Sequence, residues 1–387
     1  MTIGESIIKS VGITHMTPGA AIMLMIGVLM LYLAIVKKFE PLLLLPLAFG
    51  IIMANIPLAG LSAYDTGRVI SFLYQGISMV IYPPLVFLCI GSMTDFGPLI
   101  SSPRSALIAL GGQLGIFVAF GLALVMGPIF SPIIPGFDGF TLSEAASIGI
   151  IGSSDGPTSI FAAARLAPEI LSTVAIAAFS YMALVPFIQP PIMKALTTPK
   201  ERIIVMPEPK RVTQRQKILF PIIMTIGVLL LVPTAGQLIG MFMLGNLIRE
   251  SGVVDRYVRT LSTDFLNLLT LMVGLSIGSS ATAEYFLTPE TLMILALGLI
   301  AFTFGTVGGV LVAKLLCKIT GGKVNPLIGN SGVSAMPMAA RISQRMGQKY
   351  NPQNHLLMHA MGPIVSSTIG SAIIAGIFIS MFTPPAI

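Results

Sequence analysis

The stretch "IGIIGSSDGPTSIFAAARLAP", residues 148–168, interrupts an apolar run with Gly-Ser-Ser-Asp-Gly-Pro-Thr and puts a carboxylate, Asp155, at its centre. In a water-soluble protein such a cluster of small and polar residues is typical of a surface turn. Its meaning in this chain therefore depends on which solvent surrounds the chain.

The composition indicates a membrane protein. Hydrophobic residues make up 55% of the 387 residues and charged residues only 10%, and the mean hydropathy is +0.92, whereas soluble domains carry about 25% charged residues. Apolar runs long enough to span a bilayer recur, for example at 17–36, 105–130, 290–313 and 365–382. The net charge of +7 lies in short basic clusters, a pattern of membrane topology and not of nucleic-acid binding. We predict an all-α polytopic protein of the bacterial inner membrane with about 9–11 membrane segments.

Basic residues predict which loops are cytoplasmic. The densest cluster lies in the loop 194–217, which we place inside together with Lys37 and Lys38. Four clear apolar spans separate the two clusters, at 41–58, 69–91, 105–128 and 170–192. A fifth crossing would put the clusters on opposite sides, so we predict that 143–166 is re-entrant from the outside. The same parity argument predicts that 324–340 is re-entrant from the cytoplasmic side.

Two pairs of similar stretches indicate an internal repeat. "IGSSDGPTSIFAAAR" (151–165) resembles "IGNSGVSAMPMAAR" (328–341), and "IGSMTDFGPLISSPRSALIALG" (90–111) resembles "IGSSATAEYFLTPETLMILALG" (277–298). Because the two broken segments open to opposite sides, we predict inverted-topology repeats, whose broken segments form ion sites near the midplane. The predicted divisions are N-terminal scaffold helices at 1–66, a first repeat at 67–193, a basic cytoplasmic linker at 194–217, a scaffold hairpin at 218–261 and a second repeat at 262–387.

The chemistry of the first broken segment favours a hard cation. Gly and Pro unwind the helix, so that freed carbonyls and the hydroxyls of Ser153, Ser154 and Thr158 become oxygen ligands. Asp155 adds a single negative charge, and a carboxylate at membrane depth normally has a partner or a function. The alternative is that Gly-Pro is a kink and that Asp155 caps a half-helix.

Other polar residues have both a functional and a structural interpretation. The second broken segment offers neutral oxygens, on Asn325, Asn330, Ser331 and Ser334, as ion ligands or as helix caps. Tyr181 and Gln189 lie in an apolar span, where Tyr181 either carries protons or packs. Arg341 follows the second segment and either steadies the C-terminus of a half-helix or binds an anionic substrate. His355 and His359, four residues apart, are expected to share a helix face as a structural pair, because no carboxylate or cysteine completes a metal site.

Several long motifs resemble the β subunits of sodium-translocating biotin-dependent decarboxylases, which act on oxaloacetate, methylmalonyl-CoA, glutaconyl-CoA or malonate. The motifs, in order along nearly the whole chain, are "TDFGPL", "GIIGSSDGPTSIF", "YMALVPFIQPPIMKALTT", "MLGNLIRESGVV", "NPLIGNSGVSAMPMAAR" and "HAMGP". The resemblance implies a subunit that releases CO2 from carboxybiotin, consumes a proton from the outside and exports Na+. It also implies that the biotin is attached to a partner, since this chain lacks the Ala-Met-Lys-Met attachment signature.

The resemblance further implies partners and site residues. The partners are a carboxyltransferase α subunit, a biotin carrier and a small single-span γ or δ subunit, with β subunits as a homotrimer and with no nucleic acid. The catalytic residues would be Asp155, Tyr181 and Arg341, and the Na+ ligands Asp155, Asn325, Gly329 and Ser334. One departure is Ile364, which stands where the family usually has an asparagine after "HAMGP". Ser366, Ser367 or Thr368 would then replace that ligand, or one of two ion sites would be weaker or absent.

Three functional classes fit the residues taken without the resemblance. The first is a decarboxylation-driven Na+ pump subunit, and the second is a secondary transporter, either a Na+/H+ antiporter or a Na+-coupled carboxylate symporter. The third, a structural scaffold, leaves Asp155 unexplained. The chain has no phosphate-binding loop of the form G-x-x-x-x-G-K-[ST], which excludes ATP as its fuel.

Overall fold

Helices form the regular structure of residues 10–134 and 137–383, which are the residues described in a computed structural model of the chain. In the first half the helices are α1 (Pro18–Ile35), α2 (Pro41–Ala54), α3 (Val69–Ser78), α4 (Tyr82–Met93), α5 (Gly97–Ser101), α6 (Ala106–Gly112), α7 (Leu114–Phe130), α8 (Leu142–Ile150), α9 (Gly156–Leu166), α10 (Leu171–Leu196) and α11 (Pro199–Arg202). In the second half they are α12 (Gln214–Leu231), α13 (Gly236–Ser251), α14 (Asp255–Thr260), α15 (Leu266–Ser280), α16 (Ala283–Phe286), α17 (Pro289–Ile319), α18 (Met338–Tyr350) and α19 (Leu357–Phe382).

Short 3-10 turns join or interrupt these helices, at Gly12–His15, Pro103–Ser105, Ile151–Ser153, Pro168–Ile170, Pro233–Ala235 and Pro326–Gly332, and a π-helical turn, Leu261–Phe265, joins α14 to α15. The described residues contain no β-strand. The all-α prediction is therefore confirmed for them.

Six helical stretches of the described chain are long and apolar enough to cross a bilayer, and two bent pairs raise the number to eight. One pair is α3 and α4, which meet at 71°, and the other is α10, which bends by 61° between Met182 and Leu184. Pro186 explains the second bend, because its ring removes a backbone N–H donor and clashes with the preceding turn. Large apolar side chains are left exposed on the outer faces, such as Leu230 and Leu231, which are 79% and 84% exposed. Such faces suit lipid, so the chain is a multi-pass membrane protein.

Contacts along α10 define the two ends of the helix bundle. Thr173 and Thr291 share a hydrogen bond of 3.3 Å, whereas Lys314 Nζ donates to the Leu196 carbonyl at 2.9 Å. The helices α10 and α17 therefore run parallel. Their carboxyl ends lie with the basic linker at one end of the bundle, which we call the basic end, and Thr173 and Thr291 mark the opposite end.

Close glycine contacts place α6 and α7 antiparallel to α17. A Cβ on Gly111 would lie 2.6 Å from the Gly308 carbonyl oxygen, and one on Gly115 would lie 2.1 Å from that of Ala301. These helices approach backbone to backbone, as small residues allow within membranes. Consequently α7 ends at the opposite end, which is where α8 begins.

The first broken segment, α8–α9, enters and leaves at the opposite end. Gly152, in the 3-10 turn that follows α8, packs against Gly115 of α7 midway along the bundle. After α9 the chain reaches Thr173, whose partner Thr291 marks the opposite end. The two ends of this segment therefore lie at the same end of the bundle, and the segment forms a hairpin.

The second broken segment, 325–350, enters and leaves at the basic end. Asn325 donates to the Arg202 carbonyl at 3.1 Å, and Arg202 Nη1 donates to the Tyr350 hydroxyl at 2.9 Å. Between them, Gly332 lies against Gly112 at mid-depth. The two hairpins thus enter from opposite ends of the bundle.

Two asparagines make matching contacts between the halves. Asn55, which follows α2 as its C-cap, donates to the Ala281 carbonyl, and Asn246 of α13 donates to the Thr94 carbonyl, each at 2.7 Å. Thr94 and Ala281 correspond in the aligned stretches. Scaffold helices of each half therefore pack on the other half, as α2 does on α15 and α13 on α4. The inverted symmetry and the domain boundaries, including residues 1–9 outside the described part, stay predictions.

Candidate functional site

Asp155 is the N-cap residue of α9 and lies at the tip of the first hairpin. Ser154 adopts a left-handed conformation, with φ of 57°, which ends the Ile151–Ser153 turn and redirects the chain. Gly156 and Pro157 then open α9, where a proline costs no hydrogen bond because the first helical N–H groups have no intrahelical acceptor. The Asp155 carboxylate accepts from Thr158 Oγ1 at 2.7 Å and from Thr158 N at 3.5 Å. The capping interpretation is thus correct, and it also holds the carboxylate in one orientation.

The carboxylate of Asp155 is buried, with no cationic side chain paired to it in the described part of the chain. It is 5% exposed, and its third donor is the Ser371 hydroxyl at 3.3 Å. Among the described residues, no Lys, Arg or His forms an ion pair with Asp155. An ionised carboxylate in this position is costly unless it is paired, so bound Na+ or a bound proton would lower its free energy.

The tips of the two hairpins meet beside Asp155. Ser334 N donates to the Ser153 carbonyl at 2.8 Å, and Ser334 Oγ donates to Ser367 Oγ at 3.0 Å. Ser154 Oγ is buried without a hydrogen-bond partner. The atoms that could bind a cation here are hydroxyl, carbonyl and carboxylate oxygens, which fit a hard cation such as Na+.

Two of the residues that the resemblance implies as Na+ ligands lie elsewhere. Asn325 is at the basic end, where its amide donates to the carbonyls of Arg202 and Ile204 and its oxygen caps Leu327 N. Gly329 packs on α17, and a Cβ on Gly309 would lie 2.2 Å from the Gly329 carbonyl oxygen. Both residues secure the second hairpin in this conformation.

Among the described residues, Tyr181 and Arg341 form no hydrogen bond or ion pair with the Asp155 carboxylate. The Tyr181 hydroxyl donates to the Leu295 carbonyl, and its ring lies against Gly298. Arg341 is exposed and lies in the first turn of α18, not in the last turn of that helix. Its exposed position at the start of a helix leaves it available to an anion.

The residues around Ile364 separate into apolar and polar ones. Ile364 is fully buried in an apolar cluster with Val185 and Phe302. Ser366 and Thr368 bond back to carbonyls of their own helix, at 3.1 Å each. Only Ser367 of the three suggested replacements contacts the second hairpin tip.

The histidine pair differs from the expectation. His355 precedes α19, which begins at Leu357, so His355 and His359 do not share a helix face. In the residues that the structure describes, no group of three His, Cys, Asp or Glu side chains could hold a metal.

A cavity of about 260 Å³ opens near the basic end, next to the second hairpin. Its polar lining includes the cationic side chains of Arg104, Lys210 and Lys323 and the imidazole of His359. Apolar residues such as Ile108 and Ile328 form its inner wall. The cavity can admit a small anion attached to an apolar body.

Sequence reasoning missed two residues of the site, Gln113 and Ser371. Gln113 Nε2 donates to Ser367 Oγ at 3.0 Å, and Ser371 bonds Asp155. The signal for Gln113 was present, since it is a lone amide in a long apolar run. Ser371 gives little signal, because serines in membrane helices often bond to their own backbone.

Comparison with known proteins shows what the chain resembles. Residues 19–382 match the family described as Na+-transporting oxaloacetate decarboxylase beta subunit. The chain is 50% identical to the methylmalonyl-CoA decarboxylase subunit beta of Veillonella parvula, over 98% of this chain and 97% of that protein. It is 49% identical to the glutaconyl-CoA decarboxylase subunit beta of Acidaminococcus fermentans, over 97% and 96%. It is 45% identical to oxaloacetate decarboxylase beta chain 2 of Salmonella typhi, over 97% and 98%.

Proposed function

The chain belongs to the family of Na+-transporting oxaloacetate decarboxylase beta subunits, and on this basis we propose that it decarboxylates carboxybiotin presented by a partner, consumes a periplasmic proton and exports Na+. The observation that carries the proposal is the buried, capped and unpaired carboxylate of Asp155 at the contact of two broken segments. Such a carboxylate can bind either a proton or Na+. Binding of one ion weakens binding of the other, because only one negative charge is available.

The proton balance supports a role for Asp155 in the chemical step. When CO2 leaves an N-carboxylated ureido group, the N–C bond breaks, the electron pair stays on nitrogen and a proton must be added there. A protonated Asp155 is a suitable source of that proton, and the carboxylate that remains is then free to hold Na+. Tyr181 is proposed to pass protons after its hydroxyl leaves the Leu295 carbonyl.

The basic end is the proposed entry for the substrate. A carboxylated ureido ring is an anion on an apolar body, which matches the exposed Arg341 and the cavity lined by Arg104, Lys210 and Lys323. Placing that end in the cytoplasm follows from its positive charge. Export of one Na+ against the membrane potential then costs about 2.3 kcal/mol per 100 mV, which decarboxylation must supply.

The proposed assembly contains the partners that this chemistry needs. These are a carboxyltransferase α subunit, a biotin carrier and a single-span γ or δ subunit, around a homotrimer of this chain. The absence of a biotin-attachment signature in the chain supports a separate carrier.

An acyl-CoA is the proposed substrate of the complex. The alignment with the Veillonella methylmalonyl-CoA relative extends over 379 positions, fewer than the 387 residues of this chain. The alignment with the Salmonella oxaloacetate relative needs 429 positions, so that relative carries segments that this chain lacks. The test is to measure the rate at which the purified complex decarboxylates methylmalonyl-CoA, glutaconyl-CoA and oxaloacetate. We expect a higher rate with one of the two acyl-CoA substrates than with oxaloacetate.

The experiment for the proposed function measures CO2 release from carboxylated carrier domain by the purified chain with its single-span partner, in NaCl and in KCl. We expect Na+-stimulated release that Asp155→Asn abolishes. Asp264→Asn, the same change on an exposed carboxylate, is the control and should behave as wild type. A folded preparation that releases no CO2 but carries Na+ or protons across vesicles would instead identify a secondary transporter.

A further inference from the structure

The basic linker contains a segment without regular structure, residues 205–212, that lies against the cavity at the basic end. Five of its residues, from Met206 to Lys210, line that cavity and form one of its walls. The other walls come from α5 and α6, from the end of α17 with the second hairpin, and from the start of α19. We call residues 205–212 the strap.

The two ends of the strap are fixed by hydrogen bonds. Just before it, the Ile204 carbonyl accepts from Asn325 Nδ2 at 2.8 Å, and the buried Arg202 donates to the Tyr350 hydroxyl at 2.9 Å. Just after it, Thr213 is the N-cap of α12 and accepts from a backbone N–H of that helix. One end of the strap is therefore tied to the second hairpin, and the other end is tied to α12.

The middle of the strap is weakly held. Within the described chain, no atom of residues 205–212 takes part in a hydrogen bond or an ion pair. Met206 packs against the apolar cluster that contains Ile328, whereas the next four residues are exposed. A segment with few buried contacts opens at a low cost in free energy. The strap is thus the part of the cavity wall that can move.

Two prolines make the strap stiff. Pro207 and Pro209 fix their own φ angles, and each restricts the residue before it to an extended conformation. Residues 206–209 therefore move as one extended piece, and bending is confined to the two ends of the strap. A stiff piece of this kind carries the neighbouring Lys210 towards the cavity or away from it.

The charges around the cavity favour closure of the strap over an anion. Lys210 of the strap lines the same cavity as Arg104 and Lys323, and none of the three forms an ion pair among the described residues. Glu208 is the one carboxylate in the described lining, so the four charged side chains have a net charge of +2. Like charges repel and favour an open strap, whereas a bound anion attracts Lys210 inwards.

We propose that the strap opens to admit the carboxylated ureido ring and closes over it, and that Lys210 is the side chain through which the strap binds the carboxylate. The inference rests on the proposed decarboxylation and adds to it the element that encloses the substrate at its entry site. A lid of this kind controls when substrate enters and product leaves, so it affects both KM and kcat.

The first measurement locks the strap. Met206→Cys and Ile328→Cys place one thiol on the strap and one on the inner wall of the same cavity, in a chain whose buried Cys89 and Cys317 are replaced by alanine. A short, reducible thiol crosslinker then joins the strap to the wall. With the single-span partner present, we expect CO2 release from carboxylated carrier domain to fall about tenfold or more, and to return on reduction.

A control pair of thiols lies away from the strap. Arg345 and Gln348 are exposed on α18 and share one face of that helix, so Arg345→Cys with Gln348→Cys takes the same crosslinker. The rate of CO2 release should be equal before and after this pair is joined. An equal loss of rate in the two pairs would contradict the inference, because the loss would not come from the strap.

The second measurement follows the strap without catalysis. Ile328 is 2% exposed, so the thiol of Ile328→Cys should react with a water-soluble maleimide only while the cavity is open. In KCl, carboxylated carrier domain should slow this reaction, and uncarboxylated carrier domain should not. Lys210→Gln should remove the slowing. Arg211→Gln is the matched control and should keep it, because Arg211 is the next residue of the strap and is exposed but does not line the cavity.

The outcomes separate this inference from the proposed function. If the complex with the crosslinked strap releases CO2 at the uncrosslinked rate, the strap does not gate the cavity and the inference is wrong. A thiol at position 328 that never reacts, or that reacts equally fast with carboxylated carrier domain present, would also contradict it. If Lys210→Gln keeps the slowing, Lys210 does not bind the carboxylate. If the uncrosslinked complex releases no CO2, the proposed function fails as well.

Discussion

The backbone amide of Ser334 donates a hydrogen bond of 2.8 Å to the carbonyl oxygen of Ser153. The tips of two hairpins that enter from opposite ends of the bundle are therefore joined by main chain, independently of side-chain identity. Because Ser153 lies two residues from Asp155, we expect a change in the charge of that carboxylate to affect the second hairpin.

The first prediction concerns the hydroxyl that reaches Asp155 from α19. Ser371→Ala removes a donor at 3.3 Å from the carboxylate, and a hydrogen bond to a charged group contributes about 1.5–3 kcal/mol. We expect the Na+ concentration for half-maximal stimulation of CO2 release to change by about tenfold or more. Ser147→Ala is the matched control, because Ser147 is buried but bonds only the Ser143 carbonyl of its own helix. Equal Na+ dependence in the two variants would argue against the role of Ser371.

The second prediction concerns the contact between α6 and the second hairpin. In Gly112→Ala a Cβ would lie 1.8 Å from the Gly332 carbonyl oxygen, so backbone must move, and overpacking of this kind costs about 1–3 kcal/mol or more. We expect a lower melting temperature and slower CO2 release. Gly121→Ala on α7, where nothing lies within 4 Å of the added Cβ, should melt like wild type. A wild-type melting temperature for Gly112→Ala would show that this contact is not tight in the membrane.

The third prediction concerns the anion-binding role of Arg341. Removing its charge in Arg341→Gln should raise the KM for carboxylated carrier domain about tenfold, with unchanged Na+ binding, because we propose that the arginine binds the anionic substrate and not the ion. Arg345 is also exposed on α18, so Arg345→Gln controls for a general loss of positive charge. If Lys323→Gln raises the KM and Arg341→Gln does not, the basic cavity is the entry site.

The fourth prediction is a pH dependence at the basic end. Asp95 lies outside the spans, in the link between α4 and α5, where it accepts from Lys217 Nζ and from Gly97 N at 2.8 Å each. Partial burial acts to raise the pKa of Asp95, but the Lys217 ammonium and the Gly97 amide outweigh it and hold the pKa below its usual value of 3.8. A lowered pKa stabilises the fold above about pH 3.8, and this stability is lost as the pH falls through the folded-state pKa.

Asp95→Asn should therefore lower the melting temperature at pH 7 by a small amount, since a partly exposed ion pair contributes about 1 kcal/mol or less. The difference from wild type should shrink below pH 3.8. Glu208→Gln serves as the control, because Glu208 makes no ion pair among the described residues. Melting curves between pH 3 and pH 7 give the comparison, and a difference that persists at pH 3 would contradict the ion-pair explanation.

Much of the fold could be predicted from local sequence. Composition and apolar run length identify membrane helices, and the Gly-Ser-Ser-Asp-Gly-Pro run marks the break, because glycine and proline act on the backbone wherever they stand. The depth of the break makes Asp155 the obvious functional candidate. Parity of the basic loops predicts two hairpins, and the structure has hairpins at both places.

The partners of Asp155 could not be predicted in the same way. Ser371 is 216 residues away along the chain and Gln113 contacts Ser367 across 254 residues, and no local pattern encodes such pairs. Asn325 was open to two interpretations, since a polar residue in a broken segment has the same appearance whether it binds an ion or caps the chain, and the structure has it capping Leu327 N at the basic end.

The sequence by itself determined that the chain lies in a bilayer, where it breaks and which carboxylate it buries, because hydrophobicity, backbone freedom and charge are properties of single residues. Only the tertiary structure decided which oxygens meet at the break. Glycine contacts as close as that of Gly112 with Gly332 set the distance between segments, and the distance decides whether a hydroxyl reaches Asp155 or returns to its own helix.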